Sequence, residues 1–199
     1  MKTVIKHLKK GILMGTMFTT LLSFANEPSF CTIKKDAKRT LLTLNNVKQG
    51  NLLSIIDDNG IILYKELIEK AGVYIKGFDL TSLPDGEYIF ELDKDLEVNT
   101  IPFTVTASNV VFNKENGKVT YKPYSTLKNG IVYLTKLALN EEPLKVDIYF
   151  STSAGSELMY SEKIENTKNI QKAYKLKGLG KGKYKFVFKT EGRIFTKNI

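Results

Sequence analysis

The chain has 199 residues, a formal net charge of +9, 42% hydrophobic residues, one histidine, one cysteine and no tryptophan. The histidine, His7, lies in a leader-like N-terminus, so the mature chain is expected to hold none. That excludes Ser-His-Asp and Cys-His nucleophile arrangements and histidine-based metal sites. With Cys31 alone, neither an intrachain disulfide nor a cysteine metal cluster can form, and stability has to come from core burial.

In chain order, residues 1–25 read as a cleavable signal peptide. Lys2, Lys6, Lys9 and Lys10 form a positive start, residues 11–24 carry no charge, and Ser23-Phe24-Ala25 supplies small residues at −3 and −1 of a cleavage site. The apolar run falls short of the roughly 20 residues a bilayer-crossing helix needs. The mature chain is expected to start at Asn26 and to be exported to the periplasm, the cell surface or the medium. No later segment is long and apolar enough to span a membrane. Cys31 reads as a small apolar strand residue, with an intermolecular disulfide as the alternative. Phe30 stands where a lipidated cysteine would want a small residue.

From there the chain reads as β almost throughout. Leu42-Thr43-Leu44, Leu53-Ser54-Ile55, Tyr88-Ile89-Phe90, Val146-Asp147-Ile148-Tyr149-Phe150 and Lys183-Tyr184-Lys185-Phe186-Val187-Phe188 are short and rich in branched and aromatic residues, several alternating apolar with polar. Asn59-Gly60, Pro84-Asp85-Gly86, Asn116-Gly117, Asn129-Gly130 and Gly180-Lys181-Gly182 punctuate them as turns. Residues 63–71 have a weak helical look, but their counterparts 158–166 hold too much Ser and Asn for a helix, and both are read as strand followed by loop. Asp57-Asp58-Asn59-Gly60 is read as a hairpin turn rather than a calcium loop, since the carboxylates lack the alternating ligand spacing.

The pattern is written twice. Phe78-Asp-Leu-Thr-Ser-Leu-Pro-Asp-Gly-Glu-Tyr-Ile-Phe90 recurs 96 positions later as Tyr174-Lys-Leu-Lys-Gly-Leu-Gly-Lys-Gly-Lys-Tyr-Lys-Phe186. At that offset Tyr64 falls on Tyr160, Glu66 on Glu162 and Ile68 on Ile164. At an offset of 95, Thr40, Leu42, Leu44, Asn45 and Gly60 fall on Thr135, Leu137, Leu139, Asn140 and Gly155. A period this long denotes two whole domains. The expected fold is all-β, two tandem immunoglobulin-like antiparallel sandwiches over residues 26–113 and 114–199, divided near 113–118. Positions kept in both copies are those a fold needs: Leu80/Leu176 and Leu83/Leu179 for the core, Gly86/Gly182 for a turn of positive φ, Tyr88/Tyr184 and Phe90/Phe186 for inward strand positions.

Charge differs between the halves. Residues 26–113 hold nine Lys/Arg against 13 Asp/Glu, and residues 114–199 hold seventeen against eight. Such asymmetry points to head-to-tail self-association, or to a basic second domain resting on an anionic surface through Lys175, Lys177, Lys181, Lys183 and Lys185; the plain alternative is solubility. Aromatics interleave these lysines at a period of two, which sends them to the core and leaves none for base stacking, so no nucleic-acid partner is expected. Gly178 to Gly182 is not a phosphate loop, because no Lys-Ser/Thr pair and no helix follow. Glu66 and Glu162 are the acids that recur in register, and a cross-strand ion pair is their expected role rather than glycoside hydrolysis.

The order Gly60, Tyr64 and Phe78 to Phe90, repeated through Gly155, the glycine-rich segment ending at Phe186 and the basic finish from Arg193 to Ile199, resembles the type A C-terminal sorting domains of the Bacteroidetes type IX secretion system. It is also similar to related small secreted Bacteroidetes proteins of unknown function. The resemblance implies a seven-stranded immunoglobulin-like domain in an exported protein, with no catalytic residues to carry over. The expected role is a non-catalytic structural or binding protein with no cofactor or metal, whose partner is an unidentified protein or an envelope glycan. A type IX substrate with a sorting-like second sandwich is one alternative, and a basic carbohydrate- or envelope-binding module the other.

Overall fold

The computed structural model describes residues 31–36, 39–177, 180 and 182–199. The expected signal peptide and its cleavage site lie outside the described residues, as does Lys181. The described chain is all-β: sixteen strands and two short 3-10 turns, with no α-helix.

In the first half, β1 (Cys31–Asp36), β2 (Arg39–Val47) and β5 (Gly72–Phe78) form one antiparallel sheet in the order β1-β2-β5. The facing sheet runs β4-β3-β6-β7, from β3 (Leu52–Asp57), β4 (Ile62–Leu67), β6 (Gly86–Asp93) and β7 (Glu97–Thr106). The second half repeats this order. β10 (Tyr124–Lys128), β11 (Ile131–Leu137) and β14 (Asn169–Lys175) form the three-stranded sheet, as β10-β11-β14. β12 (Leu144–Thr152), β13 (Gly155–Ile164), β15 (Lys183–Thr190) and β16 (Arg193–Asn198) form the other, as β13-β12-β15-β16. Each half buries its own apolar cluster between its two sheets, around Leu42, Leu53, Phe90 and Phe103 in one and Leu134, Val146, Phe186 and Phe188 in the other. Alternation explains the burial: in β6 Tyr88, Phe90 and Leu92 point inward, and in β15 Tyr184, Phe186 and Phe188 do.

One addition breaks the symmetry. β8 (Asn109–Phe112) and β9 (Lys118–Tyr121) both pair with β7, one after the other along its outer edge. The hydrogen bonding of the first half therefore reaches Tyr121, beyond the 113–118 divide, and the chain leaves that sheet at Lys122-Pro123. The added segment covers an edge that would otherwise stay unpaired.

The strand pairing corrects part of the expected correspondence. Leu42 and Leu44 are each 1% exposed, whereas Leu137 and Leu139, their letter-matched partners at an offset of 95, are 46% and 50% exposed. Leu42 lies opposite Lys76, and Leu134 lies opposite Lys172, the residue 96 positions after Lys76. β11 thus matches β2 at an offset of 92, with Leu134 in the place of Leu42 and Lys136 in the place of Leu44. The identical letters mislead because a shift of three turns inward residues outward on a period of two.

Gly86 and Gly182 also differ from expectation: neither has positive φ. What Gly182 provides is room. A Cβ there would sit 2.5 Å from the Ser151 carbonyl oxygen and 2.6 Å from the Phe150 ring, whereas at Gly86 the nearest atom is the Tyr88 hydroxyl at 3.5 Å. Asp57 to Gly60 forms the β3–β4 turn as expected, with Asp57 Oδ1 accepting from the Asn59 and Ile61 amides. Its Gly60 does take positive φ, +80°.

Candidate functional site

The polar groups that recur in both halves close the sandwiches. Glu66 on β4 and Lys76 on β5 lie in different sheets of the first half, and the Lys76 ammonium bonds Glu66 Oε2. Glu162 on β13 and Lys172 on β14 repeat the pair at 2.9 Å. These are bridges between sheets rather than the cross-strand pairs expected. Aromatic rings back both clasps: Tyr64, Phe78 and Phe90 form an edge-to-face ladder with centroids 5.2 and 5.4 Å apart, and Tyr160, Tyr174 and Phe186 repeat it at 6.1 and 5.7 Å. The Lys76 hydrogen bond, against the opposing effect of burial, holds the Glu66 carboxyl below its ordinary value. At Glu162 burial works upward, and hydrogen bonds from Tyr174 and Lys172 outweigh it, so this carboxyl is also lowered. Both acids are therefore held ionised, each in its own sandwich.

The lysines singled out by sequence do not form one surface. Lys175 ends β14 and Lys177 follows it, exposed on the three-stranded sheet, while Lys183 and Lys185 are exposed on β15 of the four-stranded sheet. Since Tyr174 points inward on β14 and Tyr184 and Phe186 point inward on β15, Lys175 and Lys185 face away from the core on opposite sides.

Pairing assembles a different basic group. Lys145 on β12 lies directly opposite Lys163 on β13 and Lys189 on β15, so three lysines stand side by side across three strands. The row beside them holds Asp147, flanked by Ser161 and Val187. Asp147 faces outward, yet its side chain is only 4% exposed, because Lys189 at 3.1 Å, Lys145 at 3.7 Å and the Ser161 hydroxyl at 2.6 Å cover it. Burial pushes its carboxyl upward, but these partners together leave it lowered. Lys163 pairs instead with Glu165 at 2.5 Å. Sequence reasoning misses this group because its members come from three separated segments and only strand register makes them neighbours.

A second cluster lies where the halves meet. Arg193 donates to Glu91 at 2.6 Å, and Lys118 on β9 pairs with Glu191 of the β15–β16 turn at 2.8 Å. Lys136 is 2% exposed and donates to the Leu137 carbonyl oxygen at 2.9 Å, and burial lowers its ammonium pKa. The nearby groove is lined by Leu96, Tyr121, Tyr124, Lys136 and Leu137, and Lys122 and Glu97 on its wall are engaged with Asp93 and Lys94. Lys136 shares the inward parity of Val132 and Leu134, which the sequence alone does not show because the opposite parity of β11 carries Ile131, Tyr133 and Leu137.

Cys31 is buried at 1% within the first core, and burial pushes its thiol up to about 11. Among the described residues no group of three or more His, Cys, Asp or Glu is arranged to hold a metal ion, and no helix is long and apolar enough to cross a membrane. No family model matches the chain, and no curated protein does. Among solved structures, a chain from a study of neurohormone perception by the receptor tyrosine kinase Torso aligns with 88% of this chain and 73% of its own length, at 8% identity. Its TM-score of 0.24 is too low to carry an argument.

Proposed function

We propose that the chain is an exported, non-catalytic binding or structural protein of the periplasm, cell surface or medium, built from two immunoglobulin-like sandwiches in tandem. The observation that carries this reading is where the duplicated residues are used. The ladders Tyr64–Phe78–Phe90 and Tyr160–Tyr174–Phe186 and the pairs Glu66–Lys76 and Glu162–Lys172 all join one sheet to the other within a half. What both copies retain is a way to fold. The immunoglobulin-like assignment is supported by the strand orders β1-β2-β5 facing β4-β3-β6-β7 and their repeat. It is supported again by the corner tyrosines: the Tyr88 hydroxyl donates to the Pro84 carbonyl oxygen and the Tyr184 hydroxyl to that of Lys177, each at 2.7 Å.

The test is cell fractionation followed by N-terminal sequencing of the natural protein. The expected result is a chain beginning at Asn26 outside the cytoplasm; an intact Met1 terminus in the cytosol contradicts export. Hydrolase turnover on a polysaccharide panel, abolished by Glu66→Gln in a folded variant, would contradict the non-catalytic role.

A further inference from the structure

We propose that the outer face of the β13-β12-β15-β16 sheet is a binding surface for an anionic polysaccharide, with Lys145, Lys163 and Lys189 as its central cations. This rests on the reading of the chain as an exported binding module and gives that module a site and a ligand class. Directly opposed like charges destabilise a sheet, and strands lie only about 4.8 Å apart; Asp147 and Glu165 supply two carboxylates to the three ammonium groups, which leaves the row with a net positive charge facing solvent. The first half shows that the fold does not require the row. Its structural equivalent is Leu67, Leu52 and Asp93, paired in the same register. Lys145, Lys163 and Lys189 keep half or nearly half of their side-chain surface exposed, at 50%, 59% and 43%.

The rest of the face suits a glycan. Lys183 and Lys185 extend the positive charge along β15, and the acids beside the row are Asp147, covered by Lys145 and Lys189, and Glu165, paired with Lys163. Exposed Thr196 and Asn198 on β16 stand beside the β15 lysines as donors and acceptors for sugar hydroxyls, and the Ser161 hydroxyl, which donates to Asp147, keeps its lone pairs as acceptors. Tyr184, Phe186 and Phe188 are buried beneath the face, which leaves one half-buried outward ring, Tyr149, and no aromatic track for successive bases. A linear polyanion that crosses the three strands along this row would bring its carboxylates or sulfates past successive ammonium groups.

The experiment titrates the purified mature-length protein with polygalacturonate, a carboxylate polyanion, and with neutral dextran of similar length, across a range of salt. Expected is binding of polygalacturonate that weakens as salt rises, and no binding of dextran. The triple variant Lys145→Gln, Lys163→Gln, Lys189→Gln is expected to bind at least about tenfold more weakly, since three solvated charge contacts of modest size are removed together. The control Lys175→Gln, Lys177→Gln, on the opposite sheet, is expected to stay within about twofold. Because the triple variant leaves Asp147 without its cations, Lys183→Gln, Lys185→Gln is the second test on the same face should the first fail to fold; it too is expected to weaken binding. Absence of polygalacturonate binding, an equal loss in the Lys175/Lys177 control, or tighter binding of single-stranded DNA or of anionic vesicles overturns the proposal. Failure of any of these kinds with the protein still found outside the cytoplasm removes the site alone, whereas a cytosolic Met1 terminus removes the exported module itself.

Discussion

Tyr88 and Tyr184 close equivalent corners of the two halves with a buried ring and a single hydroxyl donor. Replacing either by Phe deletes the hydrogen bond and leaves a carbonyl short of a donor, so Tyr88→Phe and Tyr184→Phe are each expected to lower unfolding free energy by about 1 kcal/mol in a denaturant titration. The carboxylates of the clasps give the pH response its sign. Glu66 and Glu162 titrate in the folded protein below their ordinary value of 4.5, so the stability they contribute is present above that value and is lost as pH falls through the lowered one. Because the Lys76–Glu66 pair is about one-third exposed, its share is a few tenths to about 1 kcal/mol. A thermal midpoint that drops as pH falls below 4.5, with a shallower drop in a Glu66→Gln, Glu162→Gln variant, is the expected outcome. Much at this scale is legible in sequence: the repeated tyrosines, phenylalanines and glutamates identify themselves by recurring. The role of the glutamates is only half legible, because their lysines lie in the other sheet and sheet membership is a property of the whole topology.

At the scale of the element, alternation and turn residues place most of the expected strands correctly, since β6, β12 and β15 carry aromatic or branched side chains on one face and polar ones on the other. The register of β11 is not legible that way. Thr135, Leu137 and Leu139 copy the letters of Thr40, Leu42 and Leu44, but the residues that pack are Val132 and Leu134. Lys136 then falls where the first half has Leu44. A buried lysine in a leucine's place costs desolvation, so Lys136→Met, which restores an apolar side chain of similar reach, is expected to stabilise the protein by about 1 kcal/mol. The glycine pair offers a contrast between two elements that look identical in sequence. Gly182→Ala drives a methyl group into the Phe150 ring and Ser151 backbone and is expected to cost about 2 kcal/mol or more, while Gly86→Ala meets its nearest neighbour at ordinary contact distance and is expected to change stability by less than about 1 kcal/mol. Equal losses at the two positions would contradict the packing described for the β15 entry.

Across the whole molecule, the repeated strand order means that one solution to burying a core is used twice, with charge redistributed over it. Positions 79, 85 and 87 carry Asp, Asp and Glu, and their counterparts at 175, 181 and 183 carry lysine. The fold constrains the inward residues and leaves the outward ones to change, so the two halves share a framework and differ in surface charge. The ion pairs Glu91–Arg193 and Lys118–Glu191 join the halves. Arg193→Ala combined with Lys118→Ala is expected to loosen that junction, read as an increased maximum dimension in small-angle X-ray scattering with the melting of each core unchanged. That the two halves share one topology is tested most directly by inter-strand amide and Hα contacts measured by NMR on residues 26–199. The expected result is Leu42 opposite Lys76 and Leu134 opposite Lys172, within the same strand order in both halves. A second half in which Leu137 takes the place of Leu42, or whose strands pair in another order, would contradict it.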